Sequence, residues 1–247
     1  MSYSVFASYY DELTRNVGYG VRADYLCTLL KRHGHQPGLT LDLACGTGSL
    51  TIELAQRGFD IYGIDSSFEM LSVAQQKAAE AKLNLLFLCQ KMQSIDLYGT
   101  VDTVFCVLDS INHLTSEKEV LDTFQQVSLF LNPGGYFIFD VNTIYKHQKV
   151  LADHTFVYDL DEVFCVWQNQ LEEKTKRVRI DLDFFVRSGS LYQRSSEHFY
   201  ERAYGEEQLR SMLEETGFQV EAVYGDLTFE IPHSDEERIL FVAKKKE

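Results

Sequence analysis

The run Leu41 to Leu50, LDLACGTGSL, constrains this chain more than any other stretch. Strand-like residues lead into two closely spaced glycines, Gly46 and Gly48, and then into a helix. Glycines at the carboxyl edge of a strand let the backbone approach a ligand with no side chain between them. A nucleotide-like cofactor is expected there.

The neighbouring sequence supplies a frame for such a turn. Val5 to Leu13 carries Phe6, Tyr9 and Tyr10 and reads as a short amphipathic helix. Val21 to Leu30 repeats its apolar residues at helical spacing until Gly34 and Pro37 stop it. After Gly48 a helix runs to about Arg57 and closes at Gly58; Phe59 to Ile64 is a second strand that ends at Asp65. Ser66 and Glu69 have capping-box spacing for the next helix. Leu83 to Cys89, Val101 to Leu108 and Tyr136 to Val141 are further apolar runs, with a helical stripe from Val120 to Leu131 before the last. Near-continuous apolar strands suit a parallel sheet covered on both faces.

The pattern then changes to period two. Val163 to Leu171, Val178 to Val186 and Leu191 to Tyr204 alternate without intervening helices, as in an antiparallel β-meander with one wet face. A helix from Glu206 to Thr216 and two strands, Phe218 to Tyr224 and about Arg238 to Lys244, restore the first pattern and close the chain. The expected fold is α/β, a Rossmann-like, doubly wound, seven-stranded mixed sheet with its last strand antiparallel, plus the inserted meander. Residues 1–150 and 205–247 form the expected cofactor-binding core, and 151–204 the insertion.

Composition narrows the partners. The 247 residues carry a net charge of −14, a field that repels phosphate backbones, so a nucleic-acid substrate is not expected. Cys27, Cys45, Cys89, Cys106 and Cys165 form no C-x-x-C pair and read as reduced thiols. The opening MSYSVFASYYDELTRN lacks the basic start and apolar core of a signal peptide, and no apolar run is long enough for a membrane span, so a cytoplasmic protein is expected.

Three cofactor classes share a strand, a glycine turn and a helix. A phosphate-binding P-loop needs a lysine directly after its last glycine, and none follows Gly48 before Lys77. A dinucleotide turn needs a small residue where this chain has Thr51. The remaining class is marked by residues that resemble the class I S-adenosylmethionine-dependent methyltransferases. Their first motif, E/D-x-G-x-G-x-G, stands here as Asp42-Leu43-Ala44-Cys45-Gly46-Thr47-Gly48, with Ala44 in place of the first glycine. Asp65 falls where that family holds the ribose hydroxyls, and Pro133-Gly134-Gly135 also matches. The similarity is greater to a branch with a YYD arm, a D-S-x-N-x-L stretch after the fourth strand and an inserted meander. Here these are Tyr9-Tyr10-Asp11, Asp109 to Leu114, and the run ending Glu201-Arg202-Ala203-Tyr204.

The resemblance implies S-adenosyl-L-methionine as cofactor and Asp42, Ala44, Gly46, Gly48, Asp65, Met92, Gln93, Leu108 and Tyr9 around it. Lys91 stands where the family usually has an acidic acceptor for the adenine amino group. An ammonium has no acceptor, so backbone groups at Met92 or the Gln93 side chain are expected to read the base. In-line methyl transfer asks for alignment and exclusion of water, and for no metal. Tyr9 and Tyr10 either close over the cofactor or simply pack the arm. Asn112 or His113 is placed to face the acceptor, or else the stretch caps a helix at Thr115. On the third meander strand, His198 is the expected general base and Arg202 the expected partner of an anionic acceptor group. The acceptor is expected to be a small molecule methylated on nitrogen or oxygen. A protein or RNA substrate, or a non-catalytic binding protein of the same fold, are the other readings.

Overall fold

Strand β1 (Leu39–Leu43) is an inner strand of the main sheet in the computed structural model, which describes residues 4–247. Met1 to Tyr3, with which the opening stretch begins, lie outside the described residues. Before β1 come α1 (Ser4–Leu13) and α2 (Tyr19–Arg32); after it come α3 (Ser49–Gln56), β2 (Asp60–Asp65), α4 (Phe68–Glu80), β3 (Phe87–Cys89), β4 (Val101–Cys106), α5 (Glu117–Phe130) and β5 (Leu131–Asn142). A 3₁₀ turn, Ser110–His113, follows β4, and a π-helical turn, Lys146–Leu151, follows β5. Then come β6 (Thr155–Asp159), β7 (Val163–Glu172), β8 (Arg177–Ser188), β9 (Leu191–Arg202), α6 (Glu206–Glu215), β10 (Phe218–Gly225) and β11 (Arg238–Lys245).

Seven strands form one sheet in the order β10-β11-β5-β4-β1-β2-β3. β11 runs antiparallel to both β5 and β10, and the other pairs are parallel. Both faces are covered. Leu41, Leu43, Val104, Phe137 and Phe139 point into one apolar layer, while Phe105 and Ile138 point into the other with Leu26 and Leu29 of α2. Alternate residues of each strand thus serve opposite layers, which explains the continuous apolar runs. The strand order reverses between β1 and β4, so their carboxyl ends flank a crevice of the kind where open α/β sheets bind ligands.

The second sheet has the order β6-β7-β8-β9, all antiparallel. Val178, Ile180, Leu182 and Phe184 of β8 are buried, and Phe6 of α1 packs on them with Cys165 and Phe199. The opposite face carries the ion pairs Arg179–Asp181 and Arg194–Asp183, at 2.8 and 2.9 Å. This sheet has four strands where the alternation predicts three. β6 is an edge strand with no fully buried residue, so its apolar side chains give only a faint periodic signal.

Local differences have simple causes. The cap of α4 is Ser67 rather than Ser66: its hydroxyl accepts the Met70 N–H at 3.2 Å, because the Asp65 carboxylate already binds the Ser67 N–H and starts the turn one residue later. Likewise α5 is capped by Ser116 rather than Thr115, in a full capping box with Glu119. β3 covers only Phe87–Cys89 of the longer run expected from Leu83.

Candidate active site

At the carboxyl ends of β1, β2 and β4 lies a cavity with about 880 Å³ of open space including its mouth, lined among others by Asp42, Ala44, Gly46, Asp65, Met70, Met92, Leu108 and His113. Phe6, Tyr10 and Tyr19 wall it from the amino-terminal helices. A second hollow shares Ala44, Asp65, Ser66, Met92 and His113 with it and extends past Gln90, Lys91 and Gln93 to Phe199 and Tyr200 of β9.

The glycine turn is shaped from beneath. A Cβ on Gly63 of β2 would come within 2.7 Å of Cys45 Sγ, and one on Gly48 within 2.8 Å of the Ala74 methyl; hence the turn lies flat on its neighbours. Gly48 therefore serves packing and does not line the cavity, whereas Gly46 does. Asp65 ties the turn to β2: its Oδ2 accepts the Gly46 N–H at 2.9 Å and its Oδ1 the Ser67 N–H at 2.8 Å. A carboxylate has about four acceptor sites, so lone pairs remain free toward the cavity. Burial raises the Asp65 carboxyl, against the pull of these N–H groups and of His113.

Asp42 is buried beneath the turn and its Oδ2 accepts the Thr51 hydroxyl at 2.6 Å. Burial pushes its carboxyl up to about 7, with Thr51 pulling down and Asp65 adding to the rise. At the end of α1, Asp11 accepts from Thr47 at 2.7 Å and Ser49 at 3.0 Å and pairs with Lys77, which locks the arm to the glycine turn.

The β4 edge of the cavity is strained and clamped. Leu108 and Asp109 both adopt left-handed backbone, φ 60° and 54°, a conformation that costs a non-glycine residue about 1–2 kcal/mol. Asp140, fully buried at the end of β5, accepts the Leu108 N–H at 2.9 Å and the Asp109 N–H at 2.7 Å. Arg238 of β11 in turn bonds Asp140 at 2.5 Å and Asp109 at 2.6 Å, and Arg22 of α2 lies 3.5 Å from Asp140. Burial alone would raise the Asp109 carboxyl; Arg238, His113 and Lys146 override it and hold it below the usual range.

The structure brings Asp42, Ala44, Gly46, Asp65, Met92 and Leu108 to the first cavity and Gln93 to the adjoining hollow. Tyr9 lines neither; Tyr10, one residue on, takes the cavity position. Of the pair after β4, Asn112 is buried and structural, its amide bonding the Asn142 and Arg202 carbonyls at 3.1 and 3.0 Å, while His113 opens to both hollows. His198 points from the exposed face of β9, and Arg202 is bound to Glu117 at 2.9 Å and stacked over Tyr204. Neither is among the described residues lining the two hollows. Asp140 was findable in the sequence as one carboxylate inside the apolar run YFIFDVN. Tyr19 and Met70 gave no signal that separated them from ordinary core residues.

The family model described as a methyltransferase domain matches residues 40–135. The methyltransferase candidate YqeM of Bacillus subtilis (strain 168) is 37% identical over 246 residues, 99% of this chain and 98% of its own. A solved S-adenosylmethionine-dependent methyltransferase from Clostridium acetobutylicum ATCC 824 superposes with a TM-score of 0.89 at 34% identity, covering 99% of each chain. The chain belongs to the S-adenosylmethionine-dependent methyltransferases. A glycine/sarcosine N-methyltransferase of Halorhodospira halochloris is 26% identical over 230 residues, 90% of this chain and 80% of its own. More distant chains of the same fold have been solved with S-adenosylmethionine bound.

The residues of this methyltransferase fit that cofactor. Among the described residues, no lysine or arginine lines the first cavity, which has Asp42 and Asp65 instead; this suits a sulfonium and a ribose diol and repels a pyrophosphate. A Cβ on Gly46 would meet nothing within 4 Å, so the turn leaves room at that point. Met70, Met92, Leu50 and Val107 supply apolar wall for an adenosyl group.

Proposed function

We propose that this methyltransferase acts on a nitrogen or oxygen of a small-molecule acceptor, with nitrogen favoured. In this reading residues 1–150 and 205–247 hold the cofactor, and residues 151–204 supply the acceptor side. S-adenosylmethionine supplies an electrophilic methyl group on a positively charged sulfur. Asp65 would hold the ribose hydroxyls, Met92 and Gln93 would border the adenine, and the backbone at Ala44, Gly46 and Leu108 would face the methionine part. Phe6, Tyr10 and Tyr19 exclude water.

One observation carries the acceptor assignment: His113 stands where the two hollows meet, beside the meander residue Phe199 at 5.2 Å between ring centroids. Desolvation by the walls around its ring lowers its imidazole below the ordinary histidine range, with Asp109 and Asp65 opposing, which favours the neutral form that a base needs. A base at that point serves an acceptor N–H or O–H whose proton must leave. The relative named for glycine and sarcosine supports nitrogen. The net charge of −14 disfavours RNA.

The test is incubation of the full chain with methyl-labelled S-adenosylmethionine and fractionated metabolite extract. Labelled small-molecule product is expected. His113→Ala should lower its formation by about 100-fold or more, whereas His198→Ala should leave it within about twofold. Label found only in protein or RNA, or a His113→Ala variant with full turnover, would overturn the reading.

A further inference from the structure

Transfer of a methyl group from a sulfonium to an N–H or O–H acceptor forms one C–N or C–O bond, breaks one C–S bond and releases one proton. That proton must leave the site, and His113, exposed toward the two hollows, also borders buried groups that could carry it inward. His113, Asp109 and Glu201 place one ligand-type atom each within 4.8 Å of one another, and Glu201 Oε2 lies 3.6 Å from His147 Nε2. Glu201 is 4% exposed and His147 1%. Among the described residues, Glu201 Oε2 and both ring nitrogens of His147 have no hydrogen-bond partner. His147 also lines a separate cavity, with about 860 Å³ of open space, between the π-helical turn and the β7–β8 turn.

We propose that His113, Glu201 and His147 form a proton path joining the cofactor cavity to this second cavity. The proposal rests on the reading of His113 as the base at the acceptor. His113 takes the acceptor proton, Glu201 accepts it from His113 and passes one on to His147, and His147 releases it to water in the second cavity. Each group returns to its starting state, and no other reactant is consumed.

The groups around Glu201 fit that role. It is faced by Asp109, His113, Lys146, His147, Asn142 and Arg238. Burial, then Asp109, push its carboxyl up to about 8, with Lys146, Asn142 and Arg238 pulling down. Burial lowers His147 to about 4, so it is neutral and free to accept. A glutamate that both holds and gives up a proton near neutral pH is suited to passing one between two neutral imidazoles.

The full chain labelled with ¹⁵N in its histidines tests the path by NMR titration. A step near pH 8 with one shared midpoint is expected in the ring nitrogens of both His113 and His147, and both steps should vanish in Glu201→Gln. Separate midpoints, a step in one ring only, or steps that survive in Glu201→Gln would overturn the path. The wild-type titration decides even if that variant does not fold. With an acceptor in hand, His147→Gly should slow turnover about tenfold, and imidazole in the buffer should restore most of it through the open cavity. Slowing that imidazole leaves unchanged, or no slowing, counts against the path. Failure of the acceptor reading differs from both, since it leaves no labelled small molecule at all.

Discussion

Thr51 donates its hydroxyl to Asp42 at 2.6 Å inside the core, joining the first turn of α3 to the end of β1. The residue that argues against a dinucleotide turn in the sequence thus steadies the carboxylate beneath the cofactor cavity. That carboxyl is pushed up to about 7, first by burial. A bound sulfonium favours the ionised form, so binding below that value must expel a proton. Affinity for S-adenosylmethionine should therefore rise with pH, by about fivefold between about pH 6 and about pH 8, and level off above. Calorimetry across that range checks it. A flat profile, or an unchanged slope in Asp42→Asn, would show that another group governs the dependence.

The Asp65 carboxylate orders Gly46 and Ser67, and in the proposed reading its remaining lone pairs take the ribose hydroxyls. Asp65→Ala should weaken S-adenosylmethionine binding about tenfold or more, a loss of about 1.4 kcal/mol or more. The loss should be smaller for an analogue lacking the ribose hydroxyls. Equal losses for both ligands would assign the effect to the turn and not to the diol.

The sheet was legible in the sequence because burial on two faces forces continuous apolar runs such as VDTVFCVL, and because Gly58 and the stretch Asn132 to Gly135, at the start of β5, stand just past the ends of α3 and α5. The glycine turn was legible because its geometry is local: Asp42, Gly46 and Asp65 are placed by one strand–turn–helix unit and the next strand tip. The orientation of the meander was not. Strict alternation put His198 and Arg202 on one face of β9, but not which face turns inward; Phe199 and Glu201 do, since the apolar side of β8 and Phe6 of α1 bury that side. Likewise the clamp on Leu108 and Asp109 joins residues from β4, β5, β11 and α2, and no local pattern announces a contact between Asp109 and Arg238.

That clamp should dominate stability. Asp140 bonds two strained backbone N–H groups and is flanked by two arginines. Asp140→Asn leaves a neutral amide with one acceptor oxygen, and Arg22 and Arg238 lose a buried counter-charge. Removing one partner of a buried ion pair costs about 3–5 kcal/mol, so urea melts should show a loss of that order. A loss below about 1 kcal/mol would mean that the Leu108–Asp109 turn holds itself.

Glu197 of β9 accepts the Val5 and Phe6 N–H groups, each at 3.1 Å, and so caps the start of α1 from the other sheet. Through this bond the meander holds the helix whose Phe6 and Tyr10 wall the cofactor cavity. A carboxylate at a helix start contributes about 1 kcal/mol through its hydrogen bonds and the helix dipole. Glu197→Ala should therefore speed escape of bound S-adenosylmethionine by about fivefold, with little change in the melt of the seven-stranded sheet. Trypsin cleavage after Arg15 should accelerate by a similar factor and be slowed by added cofactor. Stopped-flow displacement and timed proteolysis read the two effects. If both rates match wild type, Lys77 and Thr47 hold the arm through Asp11 without help from Glu197, and the meander does not control how the cofactor cavity opens.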